Sequence, residues 1–147
     1  MRQGSQLADS ETLFIACIKI GKKFKNICTK AVDEFGLTPN EIEIIQFLTK
    51  YKKLDTAKDI VEYLGISKSL VCRSAESLRK RGYLVAQKDE EDHRVTHLFL
   101  QSSADEIVRR LNKQTKEFFQ ETFQDISEEE RFALKSIMDK VANNILA

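Results

Sequence analysis

The 147-residue chain has no long apolar run. Nothing in it approaches the roughly 18 consecutive apolar residues of a membrane-spanning helix, and the first residues lack the pattern of a secretory leader. Both absences predict a cytoplasmic protein with no membrane partner. Cysteine and histidine are scarce: Cys17, Cys28 and Cys72 stand far apart, and the only histidines are His93 and His97. No metal-ligand spacing results, so no metal site is expected. The five glycines form no phosphate-cradling loop, and there is no nucleophile elbow. Asp89, Glu90, Glu91 and Asp92 with His93 make the nearest thing to a carboxylate site. They fall at an expected hairpin tip, where exposure to water leaves little room for shifted pKa values. An enzyme is not expected, nor a cofactor. Net charge is lacking as well, since 24 Lys and Arg balance 23 Asp and Glu. Only the distribution of charge can therefore identify a partner.

What is present is concentrated between Ile66 and Leu100. Ser67 to Arg81 reads as a helix, with Ser67 as N-cap and Gly82 as the left-handed residue that ends it. Val71, Ala75 and Leu78 recur at helical spacing as a narrow buried stripe, leaving Lys68, Ser69, Cys72, Arg73, Glu76, Arg79 and Lys80 outside it. Two β-prone runs follow, Tyr83–Gln87 and Val95–Leu100, around a charged tip from Lys88 to Arg94. From Ser67 to Lys88 the bases are Lys68, Arg73, Arg79, Lys80, Arg81 and Lys88, against the single acid Glu76. On a near-neutral chain, such a local patch is the footprint of a phosphate-binding face. By periodicity alone the helix reads equally well as a solvated surface helix. The patch and the hairpin together favour a winged helix-turn-helix that binds DNA.

Elsewhere the chain is helical. Residues 1–9 read as a loose tail, followed by a long helix from Ser10 to about Phe35, closed by Gly36. Its apolar residues Phe14, Cys17, Ile20, Phe24, Ile27, Cys28, Ala31 and Phe35 follow steps of three and four. Lys19, Lys22, Lys23 and Lys30 share another face, which is most simply solvated. Thr38-Pro39-Asn40-Glu41 is a capping box with proline at the first helical position. The helix it starts runs to about Tyr51 and is apolar nearly all round, as a central packing element should be. Ala57–Leu64 is a short helix ended by Gly65, so that the turn to Ser67 completes a helix-turn-helix. After the hairpin, Ser103 and Glu106 suggest another capping box, before a stripe of Val108, Leu111, Thr115, Phe118, Thr122 and Ile126. Ser127 with Glu130 starts the last helix, striped by Leu134, Ile137, Met138, Val141 and Ile145. Those long stripes need partners, most economically each other and a second subunit. The expected architecture is mainly α with a small β-hairpin wing, one domain over residues 1–147. Residues 37–102 form its DNA-binding lobe, and residues 10–36 and 103–147 are dimerisation helices.

Gly65-Ile66-Ser67, then Leu78-Arg79-Lys80-Arg81-Gly82-Tyr83-Leu84, then Asp89-Glu90-Glu91-Asp92-His93-Arg94 resemble, in that order, the MarR family of bacterial transcription factors. The resemblance extends over about Leu37 to Leu146. It implies a sequence-specific repressor that binds a palindromic operator in double-stranded DNA as an obligate homodimer. The terminal helices would form the dimer base, a recognition helix would enter each major groove, and a wing arginine would enter the flanking minor groove. By position, the recognition helix contributes Ser67, Lys68, Ser69, Leu70, Cys72 and Arg73. Arg73 suits guanine and Leu70 a thymine methyl, while Arg79, Lys80 and Lys88 suit phosphates. Asp92 and Arg94, two apart on an extended arm, share a face, so Asp92 can aim the guanidinium. The resemblance also implies a small aromatic effector that releases the DNA. One alternative is a thiol-based redox regulator using Cys17, opposed by that residue's place in an apolar stripe, where burial makes a thiol inert. Another is a winged-helix protein-interaction module without DNA binding, which a salt titration would separate.

Overall fold

The computed structural model describes the backbone of residues 2–146 and the side chains of residues 9–146. In chain order the helices are α1 (Arg2–Ala31), α2 (Pro39–Lys50), α3 (Ala57–Leu64) and α4 (Lys68–Lys80). Strands β1 (Leu84–Lys88) and β2 (Thr96–Leu100) follow, then α5 (Asp105–Thr122) and α6 (Glu128–Leu146). Short 3-10 turns occupy Asp33–Phe35 and Ser102–Ala104. The chain divides into two compact units, Met1–Thr115 and Lys116–Ala147. Among the described residues no helix is long and apolar enough to cross a membrane.

The first unit is built around α2. Its Ile42, Ile44, Ile45, Phe47 and Leu48 are all buried, which fits a helix apolar on every side. The capping box that starts it is fully formed: Thr38 Oγ1 accepts the Glu41 N–H at 3.2 Å, and Glu41 Oε1 accepts the Thr38 N–H at 3.1 Å. Around α2 the core takes Ile60 from α3, Val71, Ala75 and Leu78 from α4, and Leu84 and Leu98 from the hairpin. Cys28 of α1, Val32 just beyond it, and Ile107 and Leu111 of α5 complete it. A second capping box, Thr56 with Asp59, starts α3. Gly65, at φ 66°, ends that helix in a conformation only glycine adopts without strain.

β1 and β2 pair antiparallel with Leu84 opposite Leu100 and Gln87 opposite His97. The alternation of the strands sends Leu84 and Leu98 into the core. The far edge of β2 is also engaged. Thr56 forms an antiparallel bridge to His97, and the Leu98 N–H donates to the Asp55 carbonyl at 2.8 Å. The loop before α3 thus acts as a third, very short strand.

Four expectations need correction. α1 begins at Arg2, so residues 2–9 are not a loose tail; Gln3, Gln6, Leu7 and Ala8 are good helix formers, and the helix continues through Ser10. It also stops at Ala31, and Gly36, at φ 63°, closes a separate 3-10 turn. Ser103 does not cap α5: its hydroxyl donates to the Gly82 carbonyl at 2.5 Å, and Glu106 turns to Arg109 and Arg110. The α1 stripe is fully buried only near its end, at Cys28, while Phe14, Cys17 and Ile20 are exposed. Cys28 is therefore the buried thiol. Burial pushes its pKa up, and the Gln46 side-chain amide donates to its sulfur at 3.4 Å.

In the second unit, α6 starts with the expected reciprocal cap. Ser127 Oγ accepts the Glu130 N–H at 3.1 Å, and Glu130 Oε2 accepts the Ser127 N–H at 2.9 Å. Asp125, at φ 60°, makes the preceding turn, and the Arg131 guanidinium lies over the Phe123 ring, 5.4 Å from its centroid. The apolar face of α6 is exposed along its length, including Ile137, Met138 and Val141.

Candidate nucleic-acid interface

The expected recognition helix forms as its capping and periodicity require. Ser67 Oγ accepts the Leu70 N–H at 3.2 Å, and Val71, Ala75 and Leu78 alone bury. Ser67, Lys68, Ser69, Leu70, Cys72, Arg73, Arg79 and Lys80 are all exposed. Lys68, Cys72, Glu76 and Arg79 follow one face of α4 and line an open groove of about 810 Å³. The opposite wall carries Arg94 and Val95 of the wing, and α3 adds Asp59 and Glu62. Ser69, Leu70 and Arg73 lie outside that groove, as do Lys80 and Lys88. The candidates thus fall into a group beside the wing and a group on the open side of α4.

Two of the basic residues have local partners. The Arg79 guanidinium donates to both Glu76 oxygens, at 2.8 and 2.6 Å. That pair lowers the Glu76 carboxyl and raises the Arg79 guanidinium. Arg81 leaves the basic patch altogether. It donates to the carbonyls of Phe35 and Gly36, lies 5.3 Å over the Tyr83 ring, and sits 3.8 Å from Glu41. Glu41 is 3% exposed and also accepts the Ser77 hydroxyl at 3.2 Å. Arg81 therefore ties α4 to the start of α2, and the patch that the sequence suggested is smaller by one charge.

The wing arginine is held and displayed. Arg94 Nε donates to Asp92 Oδ1 at 3.0 Å and Nη2 to Oδ2 at 3.2 Å, while its side chain is 91% exposed. The Arg94 N–H donates to the same carboxylate at 3.0 Å, and these bonds hold Asp92 below the usual carboxylate range. The acids of the tip are thus not a uniform repulsive cluster. Asp89 Oδ2 accepts the backbone N–H groups of Glu91 and Asp92 at 3.1 and 2.9 Å, which folds the tip.

His97 and Asp55 are the residues that sequence reasoning missed. His97 Nδ1 lies 2.5 Å from Asp55 Oδ1, and its Nε2 lies 2.8 Å from Asp89 Oδ1. The turn role of Asp89 has a local signal, because an aspartate readily binds the backbone two residues on. The pairing of Asp55 with His97 has none, since it joins positions 42 apart. Among the described residues no group of three or more His, Cys, Asp or Glu side chains is disposed to hold a metal ion.

Comparison with known proteins gives this geometry a context. The family model described as the MarR family matches residues 35–95, from the end of the first helical segment to the wing. The uncharacterized HTH-type transcriptional regulator YdgJ of Bacillus subtilis (strain 168) is 25% identical over 126 residues, which cover 86% of this chain and 72% of the relative. Among solved structures, S. aureus MepR in its complex with DNA superposes with a TM-score of 0.74 at 19% identity, covering 89% of this chain and 96% of its own. Bordetella bronchiseptica BpsR, whose DNA binding is regulated by 6-hydroxynicotinic acid, gives 0.67 at 18%, covering 89% and 98%. At such identities the structures show the fold. The family model matches the lobe that carries α4 and the hairpin. Residues 35–95 thus match the MarR family, and the fold of the chain is that of winged helix-turn-helix structures.

Proposed function

We propose that the chain acts in the cytoplasm as a homodimeric repressor at a palindromic operator, and that a small aromatic effector releases it. The observation that carries the DNA reading is the pairing of an exposed, aspartate-held Arg94 with the exposed basic start of α4 across one groove. Lys68, Ser69, Leu70, Cys72 and Arg73 meet the major-groove edges, with Arg73 on guanine. The Ser67 cap leaves the first-turn N–H groups near the phosphates. Arg79, Lys80 and Lys88 contact phosphates, and Asp92 aims Arg94 into a narrow minor groove, whose negative potential attracts a guanidinium.

Residues 10–36 and 103–147 form the dimer base in this proposal, supported by their exposed apolar faces. A two-fold dimer reads two half-sites about one helical turn apart. Lying across a promoter, it obstructs transcription. The effector reading rests on BpsR, whose DNA binding responds to a small aromatic acid. Selection from a randomised duplex library, followed by a salt titration of the winner, tests the proposal. Inverted-repeat enrichment is expected, with affinity falling steeply in salt through counterion release. Enrichment of no sequence would overturn it.

A further inference from the structure

The His97 ring sits between two carboxylates that come from different parts of the lobe. Asp55 belongs to the loop before α3, and Asp89 to the shoulder of the wing tip. An ionised carboxylate only accepts hydrogen bonds, so both ring nitrogens must carry protons for both contacts to be made. The arrangement therefore requires the imidazolium form. A neutral ring donates once, and turns a lone pair toward the other carboxylate.

The contacts do not stop at Asp89. Through its other oxygen Asp89 holds the Asp92 N–H, and Asp92 in turn grips the Arg94 guanidinium through both of its oxygens. A continuous polar chain thus runs from the loop before α3, through His97, to the exposed Arg94 of the wing. The bridge between Thr56 and His97 holds the two backbones in register at its start.

We propose that His97 is a positioning residue for Arg94, and that loss of its proton releases the wing tip, so that DNA binding weakens as pH rises. This rests on the DNA reading given above. The charged groups that face the ring are Asp55 from the loop and Asp89 from the wing, and the Phe99 ring stacks 6.4 Å away on the same strand. Asp59, nearby, is engaged with Thr56. Hydrogen bonds to Asp55 first, and then to Asp89, raise the His97 pKa above its ordinary value. The clamp is thus complete below that ordinary value and is lost as pH rises through the raised one. The His97 side chain is 27% exposed, so protons exchange with solvent without unfolding.

The probe is a duplex enriched from a randomised library by the wild-type protein at pH 7. Its affinity is measured by fluorescence anisotropy from pH 6 to 8.5 at one salt concentration, for wild type, His93→Gln, His97→Gln and Arg94→Ala. Wild type and His93→Gln should lose affinity together as pH rises. His97→Gln should be flat, and weaker at pH 6 by roughly three- to tenfold, the range for ordering one long side chain on binding. A wild-type pH profile in His97→Gln, with Arg94→Ala still impaired, overturns the clamp and leaves the DNA reading standing. Enrichment of no duplex overturns both. Titration of the two histidine rings of the free wild-type protein by NMR decides the same point without a variant. A His97 midpoint at or below the ordinary histidine value would sink the proposal, and a higher one supports it.

Discussion

Arg73 and Arg79 lie six residues apart on one helix, yet their surroundings assign them different work. Arg79 is gripped by Glu76, while among the described residues no ion pair engages Arg73. A free guanidinium near the start of a recognition helix suits bidentate contact with a base edge. Arg73→Ala should therefore weaken operator binding by about 1–3 kcal/mol and relax preference at one position per half-site. Lys80→Ala should lower affinity for all sequences alike, as loss of a phosphate contact does. Binding measured across a library of operator variants separates the two, and a uniform loss for Arg73→Ala would reduce that residue to a backbone contact. On the wing, Arg94→Ala should impair binding strongly while leaving the fold intact. Asp92→Ala should impair it less, because the guanidinium survives but wanders. The double variant should match Arg94→Ala, since Asp92 acts only through its partner. The Asp92 carboxyl is held low by Arg94, so the pair is ionised through the neutral range and is lost only as pH falls through the depressed carboxylate value.

At the scale of elements, α4 is positioned by a polar knot as much as by its three buried side chains. Glu41 is nearly inaccessible, and it serves the Thr38 cap, the Ser77 hydroxyl and the Arg81 guanidinium together. Glu41→Ala should destabilise the lobe by roughly 1–3 kcal/mol, through loss of hydrogen bonds to groups that remain partly buried. Ser77→Ala should cost less. Urea unfolding of both variants checks the order, and equal midpoints for Glu41→Ala and wild type would reduce the knot to an ordinary cap. Half of this knot was legible in the sequence, because Thr38-Pro39-Asn40-Glu41 is a local signal with a fixed spacing. The other half was not, since Ser77 and Arg81 meet Glu41 only after α2 and α4 have packed, and by charge alone Arg81 belonged with the DNA-facing bases. The same divide explains the rest. Ser67, Gly82 and the stripe of Val71, Ala75 and Leu78 act within one helix and were readable. Ser103 looked like a cap but bonds across the fold to Gly82, and His97 finds Asp55 only through the sheet edge.

For the whole molecule, the unresolved demand is apolar surface. On α1, Leu13, Phe14, Ile15 and Ile18 are each more than half exposed. On α6, Phe132, Ile137 and Ile145 are exposed to the same degree, with Leu134, Met138 and Val141 beside them at helical spacing. Scattered apolar residues on a surface need no explanation, but contiguous stripes on two helices mark an interaction site. A second copy is the economical partner, because a two-fold pairing gives each stripe a complement without any new surface chemistry. The full chain should therefore sediment as a dimer at micromolar concentration, and its thermal midpoint should rise with concentration, since association stabilises the folded state by mass action. Removal of residues 127–147 should give an aggregated or unfolded product that binds no operator tightly. Ile137→Asp together with Val141→Asp is the gentler test, because both side chains are exposed within one chain. That variant should fall to monomer and lose the cooperative occupation of two half-sites, retaining only weak, salt-sensitive DNA binding. A stable, soluble monomer from the truncated chain, or an undisturbed dimer from the double variant, would move the dimer contact away from α6.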